Sequence, residues 1–320
     1  MALALIAIVW GGLTVYAVTA GADFGAGILQ LLARGPGSGR TRQAISSAIG
    51  PVWEANHVWL IFAITGLFSA FPSAFEALGT LAFVPGTLAL LAIVVRGAAF
   101  AFAAQAEAAP RAEVLFRRLF GAASAAAPFF FGVLAGGVAS RSFRFGPFQL
   151  AVGALAVAVC TALAATFLAV EARRAAEGGL ALTFRGWALR AVAAVGALAV
   201  LALALAPSDA PSLFHGLTHR ALPEVAVTLA ALSGAHTALR RQGYALARMA
   251  IVLAVAALMW GWGFAQYPHL VGRLTVAGSA ASRAELTAVT IALAGGLMVL
   301  VPAFWVLFVA FRRQPTGVQK

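Results

Sequence analysis

The chain is 320 residues long, 62% hydrophobic and only 10% charged, with a mean hydropathy of +0.95. A soluble domain carries about 25% charged residues, so this composition excludes a water-facing globule and points to lipid as the solvent. The net charge of +12 does not indicate nucleic acid, because the basic residues fall in short clusters between apolar runs, the pattern of charged loops at a membrane surface.

A spanning helix needs about 20 mostly apolar residues. The first run, 2–32, is apolar from its start, lacks a basic leader and outlasts a signal-peptide core, so it reads as a retained helix. Further runs at 50–70, 74–96, 119–139, 148–170, 187–206, 222–239, 246–267 and 286–311 bring the expected number to nine. The fold class is an all-α integral membrane protein, its helices in bundles, with one transmembrane domain over 1–320. Hydrophilic stretches are short, the longest at 33–47, 105–118 and 171–186. Gly132, Gly136, Gly137 and Gly153 inside the runs permit close helix packing in lipid.

Seventeen of the 22 basic residues lie in one alternate set of loops and five (Arg141, Arg144, Arg220, Arg273 and Arg283) in the other. The rich side is cytoplasmic by the positive-inside rule. That places the N-terminus outside and the C-terminus inside, as an odd number of spans requires. The single cysteine, Cys160, sits in an apolar run and reads as a small buried hydrophobe. No C-x-x-C-H marks covalent haem.

Ionisable residues inside a span cost about 2.5–3.5 kcal/mol on insertion scales and are functional candidates. Asp23, in the glycine-rich segment TAGADFGAG, lies about ten residues before the inner end of the first span, roughly 15 Å deep. The second group is GPVWEANHVWL, residues 50–60. Glu54 and His57 are three apart and share a helix face; Trp53 and Asn56 share the adjacent one. A plain helix start explains Pro51, and an acid near the positive end explains Glu54, but neither explains Asn56 or His57. Two carboxylates and a histidine within reach of the cytoplasm resemble the start of a proton path.

Arg96 reads as the inner end of the third span, in contact with lipid or a partner and free to snorkel. His215 and His219 are four apart, a spacing that can hold a metal. No third ligand accompanies them and Gly216 weakens the helix, so no metal is expected. His236 and His269 read as ordinary polar contacts. Trp260, Trp262 and Tyr267 suit a membrane boundary. No Walker, GxGxxG, GxSxG or HExxH motif is present.

These segments resemble subunit II of the cytochrome bd-type quinol oxidases. TAGADFGAG is similar to the family's T-D/E-G-F-D-F/M-G-x-G, and GPVWEANHVWL to its G/A-P-x-W-D/E-x-N-x-V-W-L. FSAFP (68–72) and WGWGFAQYP (260–268) are similar to two further segments, so the resemblance runs in order along nearly the whole chain. It implies a heterodimer in the bacterial cytoplasmic membrane. A larger subunit I carries two b-type haems and one d-type haem and takes quinol as substrate; this chain binds no cofactor or metal itself. Membrane lipid surrounds the pair, and the resemblance leaves room for a small third subunit. It also implies roles: Glu54 and Asp23 in proton supply, Trp59 near an oxygen route, Asn56 in packing toward the partner. Ala20 and Ala22 depart from the family's acid and Phe, which halves the acid pair of the first helix. The rival readings are a secondary transporter using Asp23 and Glu54 as proton or ion sites, and a scaffold subunit without chemistry.

Overall fold

Proline sets many of the helix starts. Pro72, Pro110, Pro147, Pro211 and Pro223 each occupy the first or second position of a helix, where the missing N–H has no intrahelical partner to lose. The structure, a computed structural model, describes residues 1–35, 37–49, 53–105 and 109–312, with side chains described except at 49, 53–55, 104, 297, 299–301 and 303–312. Within them the chain runs α1 (Ala2–Leu32), α2 (Ser38–Ile49), α3 (Trp53–Ala70), α4 (Pro72–Leu81), α5 (Phe83–Gln105), α6 (Pro110–Ser140), α7 (Pro147–Arg174), α8 (Gly178–Asp209), α9 (Pro211–His219), α10 (Leu222–Arg240), α11 (Tyr244–Gln266) and α12 (Arg283–Arg312). A short antiparallel hairpin, β1 (His269–Val271) with β2 (Leu274–Thr275), joins α11 to α12.

Seven helices (α1, α5, α6, α7, α8, α10 and α11) are long and apolar enough to cross a membrane. The α3–α4 pair, bent by 119°, raises that to eight among the described residues. The expected ninth run, 286–311, falls on α12, whose side chains lie outside the described residues at 297, 299–301 and 303–312. The run expected at 74–96 is not one helix. It divides at Ala82 between α4 and α5. Pro85 is the cause: it cannot donate to the carbonyl of Leu81, and its ring crowds that carbonyl. α2 and α9 lie in segments read from sequence as loops.

α7 is the central helix, with 61% of its most apolar window buried inside the chain, against 22% for the corresponding window of α8. One face packs with α8, α10 and α11 around Leu168, Phe184, Leu239 and Ile251. Cys160, expected and found buried, joins Tyr16, Phe24 and Ala127 in a second cluster between α1, α6 and α7. α1 lies against α7 because Gly25 has no side chain: a Cβ there would stand 1.9 Å from the Cys160 carbonyl oxygen. α6 meets α7 in the same way at Gly132 and Gly153, as the small residues foretold.

On the outside, Val94, Val200 and Met249 are 66%, 67% and 68% exposed. Such side chains around a bundle are costly in water and neutral in hydrocarbon. Arg185 donates from Nε to the Leu239 carbonyl at 2.6 Å and from Nη2 to the Arg240 carbonyl at 2.9 Å, closing the open end of α10.

Candidate functional site

Asp23 lies on α1 with 4% of its surface exposed. A lone carboxylate there would carry a desolvation cost of several kcal/mol. The counter-charge is Arg96 on α5, itself 2% exposed, whose Nη2 donates to Asp23 Oδ1 at 2.7 Å. Its Nε donates to Ser124 Oγ at 3.0 Å, and the Ser124 hydroxyl donates to the Phe120 carbonyl at 2.6 Å. The guanidinium carbon stands 5.1 Å from the Phe24 ring centroid and 4.8 Å from that of Phe120. Two helices, α1 and α6, therefore clamp the cation of a third, α5, with a carboxylate, a hydroxyl and two aromatic faces. Gly27 makes room for this, since a Cβ at that position would collide with Ser124 Oγ at 2.1 Å.

Arg96 thus departs from the sequence expectation. It neither ends a span nor reaches lipid. α5 continues nine residues beyond it to Gln105, and the internal carboxylate removes any reason to snorkel. The signal was in the sequence: the apolar run carries on past Arg96 through AFAFAA.

α3 brings the second motif to the same level. Asn56, 3% exposed, donates from Nδ2 to the Thr19 carbonyl at a long 3.5 Å, one turn before Asp23. The His57 ring lies edge-on to Tyr16 at 6.3 Å and to Phe24 at 6.4 Å, so it lies against the same stretch of α1. Trp59 stands apart: it is 38% exposed and meets Phe62 edge-on at 6.3 Å. The Glu54 side chain lies outside the described residues; its backbone belongs to the first turn of α3.

Two buried polar atoms at this site have no hydrogen-bond partner among the described residues: Asp23 Oδ2 and the Tyr16 hydroxyl. Burying either unsatisfied costs about 1–3 kcal/mol, so each is a place for an internal water or a proton-carrying group. Sequence reasoning missed Tyr16, Phe120 and Ser124. A Tyr or Ser in an apolar run is unremarkable until the fold places it beside a charge.

His57 is already engaged and flanked by two aromatic side chains. His215 and His219 stack on each other at an exposed site. Among the described residues no group of three or more His, Cys, Asp or Glu converges.

The chain matches the family described as cytochrome bd terminal oxidase subunit II over residues 1–311. Its fold is similar to a chain of the bd oxidase from Geobacillus thermodenitrificans, with a TM-score of 0.78, 20% identity, and 97% and 98% of the two chains covered. Two Bacillus subtilis (strain 168) proteins share segments with it. One, provisionally named a cytochrome bd menaquinol oxidase subunit II, is 34% identical over 101 residues, 32% of this chain. The other, cytochrome bd ubiquinol oxidase subunit 2, is 38% identical over 61 residues, 19% of this chain. The matched segments span 29% and 18% of those relatives' lengths. The transporter reading finds no support in these likenesses. The order of the four motifs, the helical membrane fold and the match over 1–311 lead to one conclusion: this multi-pass protein of the bacterial cytoplasmic membrane belongs to the cytochrome bd terminal oxidase subunit II family.

Proposed function

We propose that this chain is the haem-free subunit of a complex that oxidises quinol and reduces dioxygen to water, and that it handles protons for that reaction. The haems, two of b type and one of d type, sit in a larger partner subunit, and they supply electron transfer and oxygen reduction when bound. The observation that carries the reading is the orphan oxygen of Asp23. It is a carboxylate oxygen deep inside a membrane bundle, held on one side by Arg96 and open on the other to a hydrogen bond. Arg96 fixes the carboxylate in place and balances its charge, so Asp23 Oδ2 is positioned to accept a proton-bearing donor without moving a helix. Asn56 and His57 set the spacing of α3 against α1 at that level. Glu54, three residues before His57 at the start of α3, supplies the entry acid. Trp59, exposed on α3, suits contact with the partner or an oxygen route.

The test is purification of tagged chain from native membranes in mild detergent, with a reduced-minus-oxidised spectrum. A larger co-purifying subunit with b- and d-type bands is expected. In that complex Glu54→Ala should lower oxygen consumption per haem by about a hundredfold, the low end of acid–base contributions, with the haem bands unchanged. A chain that purifies alone, stable and haem-free, would sink the reading.

A further inference from the structure

α1 and α3 run antiparallel, and three contacts set their register. A Cβ on Gly66 would meet Val9 at 2.7 Å, one on Gly12 would meet Phe62 at 2.6 Å, and Asn56 donates to the Thr19 carbonyl. Carried on to the first turn of α3, this register sets the backbone of Glu54 level with Gly21, close in the chain to Asp23. The two acids of the proton-handling reading therefore belong to one level of α1. Tyr16 lies beyond that level, at the middle of the 31-residue helix and roughly 8 Å farther from its cytoplasmic end.

The Tyr16 ring is well packed. It is edge-on to His57 of α3 at 6.3 Å and to Phe131 of α6 at 6.2 Å, and it shares a cluster with Ala92 of α5 and Cys160 of α7. A phenylalanine would fill the same space. Packing does not explain the hydroxyl, which is buried with no partner among the described residues and costs about 1–3 kcal/mol in that state. The residue is 7% exposed. The second orphan, Asp23 Oδ2, belongs to the same face of α1 two turns along. Ala20, between them on that face and 1% exposed, places only a methyl group there. Two buried polar atoms on one face, with no bulky side chain of α1 between them, suit internal water, which needs polar partners to enter a bundle.

We propose that Tyr16 is a proton-relaying residue, carrying protons from the level of Asp23 and Glu54 into the middle of the membrane by exchange with internal water. The inference rests on the proton-handling reading and extends it. In each passage the Tyr16 oxygen takes a proton from a protonated water on the cytoplasmic side while its own O–H gives its proton to a water on the far side. One O–H bond forms and one breaks at the phenol oxygen, and the ring is neutral before and after. Rotation about the C–O bond resets the hydroxyl. No charge stays on the phenol, so its apolar surroundings do not oppose the step.

The test uses the purified haem-bearing complex with Tyr16→Phe. Dioxygen turnover per haem at saturating quinol should fall about tenfold, less than the hundredfold or more of a direct acid or base, because water partly replaces a hydroxyl. The KM for quinol and the haem bands should not change. The ratio of rates in H2O and D2O should rise, as proton transfer becomes limiting. Unfolding should occur at the parent temperature or above it, because the hydroxyl has no protein bond to lose. Turnover and isotope ratio at parent values overturn the relay. So does a variant that loses haem or unfolds at a lower temperature, since the hydroxyl would then be holding the bundle together. Glu54→Ala in the same assay separates the relay from the reading beneath it. A slow Glu54→Ala beside a parent-like Tyr16→Phe sinks the relay alone, whereas parent rates in both sink the proton-handling reading as well.

Discussion

Arg96→Met is expected to destabilise the chain by about 3–5 kcal/mol, the usual cost of stranding one charge of a buried pair. The substitution keeps an apolar stem of similar reach up to Nε but leaves Asp23 uncompensated at 4% exposure. It also removes the donor to Ser124 and the cation between Phe24 and Phe120. Asp23→Leu alone should be similarly damaging, because it strands the guanidinium. The double variant Asp23→Leu with Arg96→Met should recover most of the loss, since neither charge remains to be desolvated. Thermal unfolding in detergent, followed by tryptophan fluorescence, measures all three. If the single variants unfold at the parent temperature, Asp23 has another counter-charge. The double variant separates structure from chemistry: restored stability with lost oxygen consumption would mark Asp23 as a proton carrier.

Gly25→Ala should be nearly as severe, at about 3 kcal/mol or more, the upper range for overpacking. The added carbon would meet the Cys160 carbonyl oxygen at 1.9 Å and the Ala164 Cβ at 2.7 Å. The first of these is backbone, which no rotamer change can move. α1 must separate from α7, and α1 carries Asp23, Tyr16 and Phe24. The expected result is loss of assembled protein from the membrane. Gly97→Ala on α5 and Gly196→Ala on α8 have nothing within 4 Å of the added carbon. They should stay within about 0.5 kcal/mol of the parent, so a loss common to all three would point to glycine flexibility and not to the contact.

The membrane nature, the helical class and the candidate acid of the first helix were legible because each rests on local chemistry. Charge scarcity needs no neighbour to interpret it, and an Asp within an apolar run is anomalous wherever it lies. Boundaries were legible where proline stands, and the division at Ala82 could have been read from Pro85. The short helices α2 and α9 were not, because neither has the length or apolarity that marks a span.

What the sequence alone determined is the solvent, the family resemblance and the presence of an expensive buried charge. What only the tertiary structure decided is how that charge is satisfied. Asp23 and Arg96 are 73 residues apart, on helices separated by three others in the chain. Ser124, Phe24 and Phe120 join them only because glycines let α1 approach its neighbours closely enough. The physical reason is the range of the forces involved. Desolvation is a property of one side chain and its local composition, whereas a compensating ion pair acts over a few ångströms and depends on which helices the fold sets side by side.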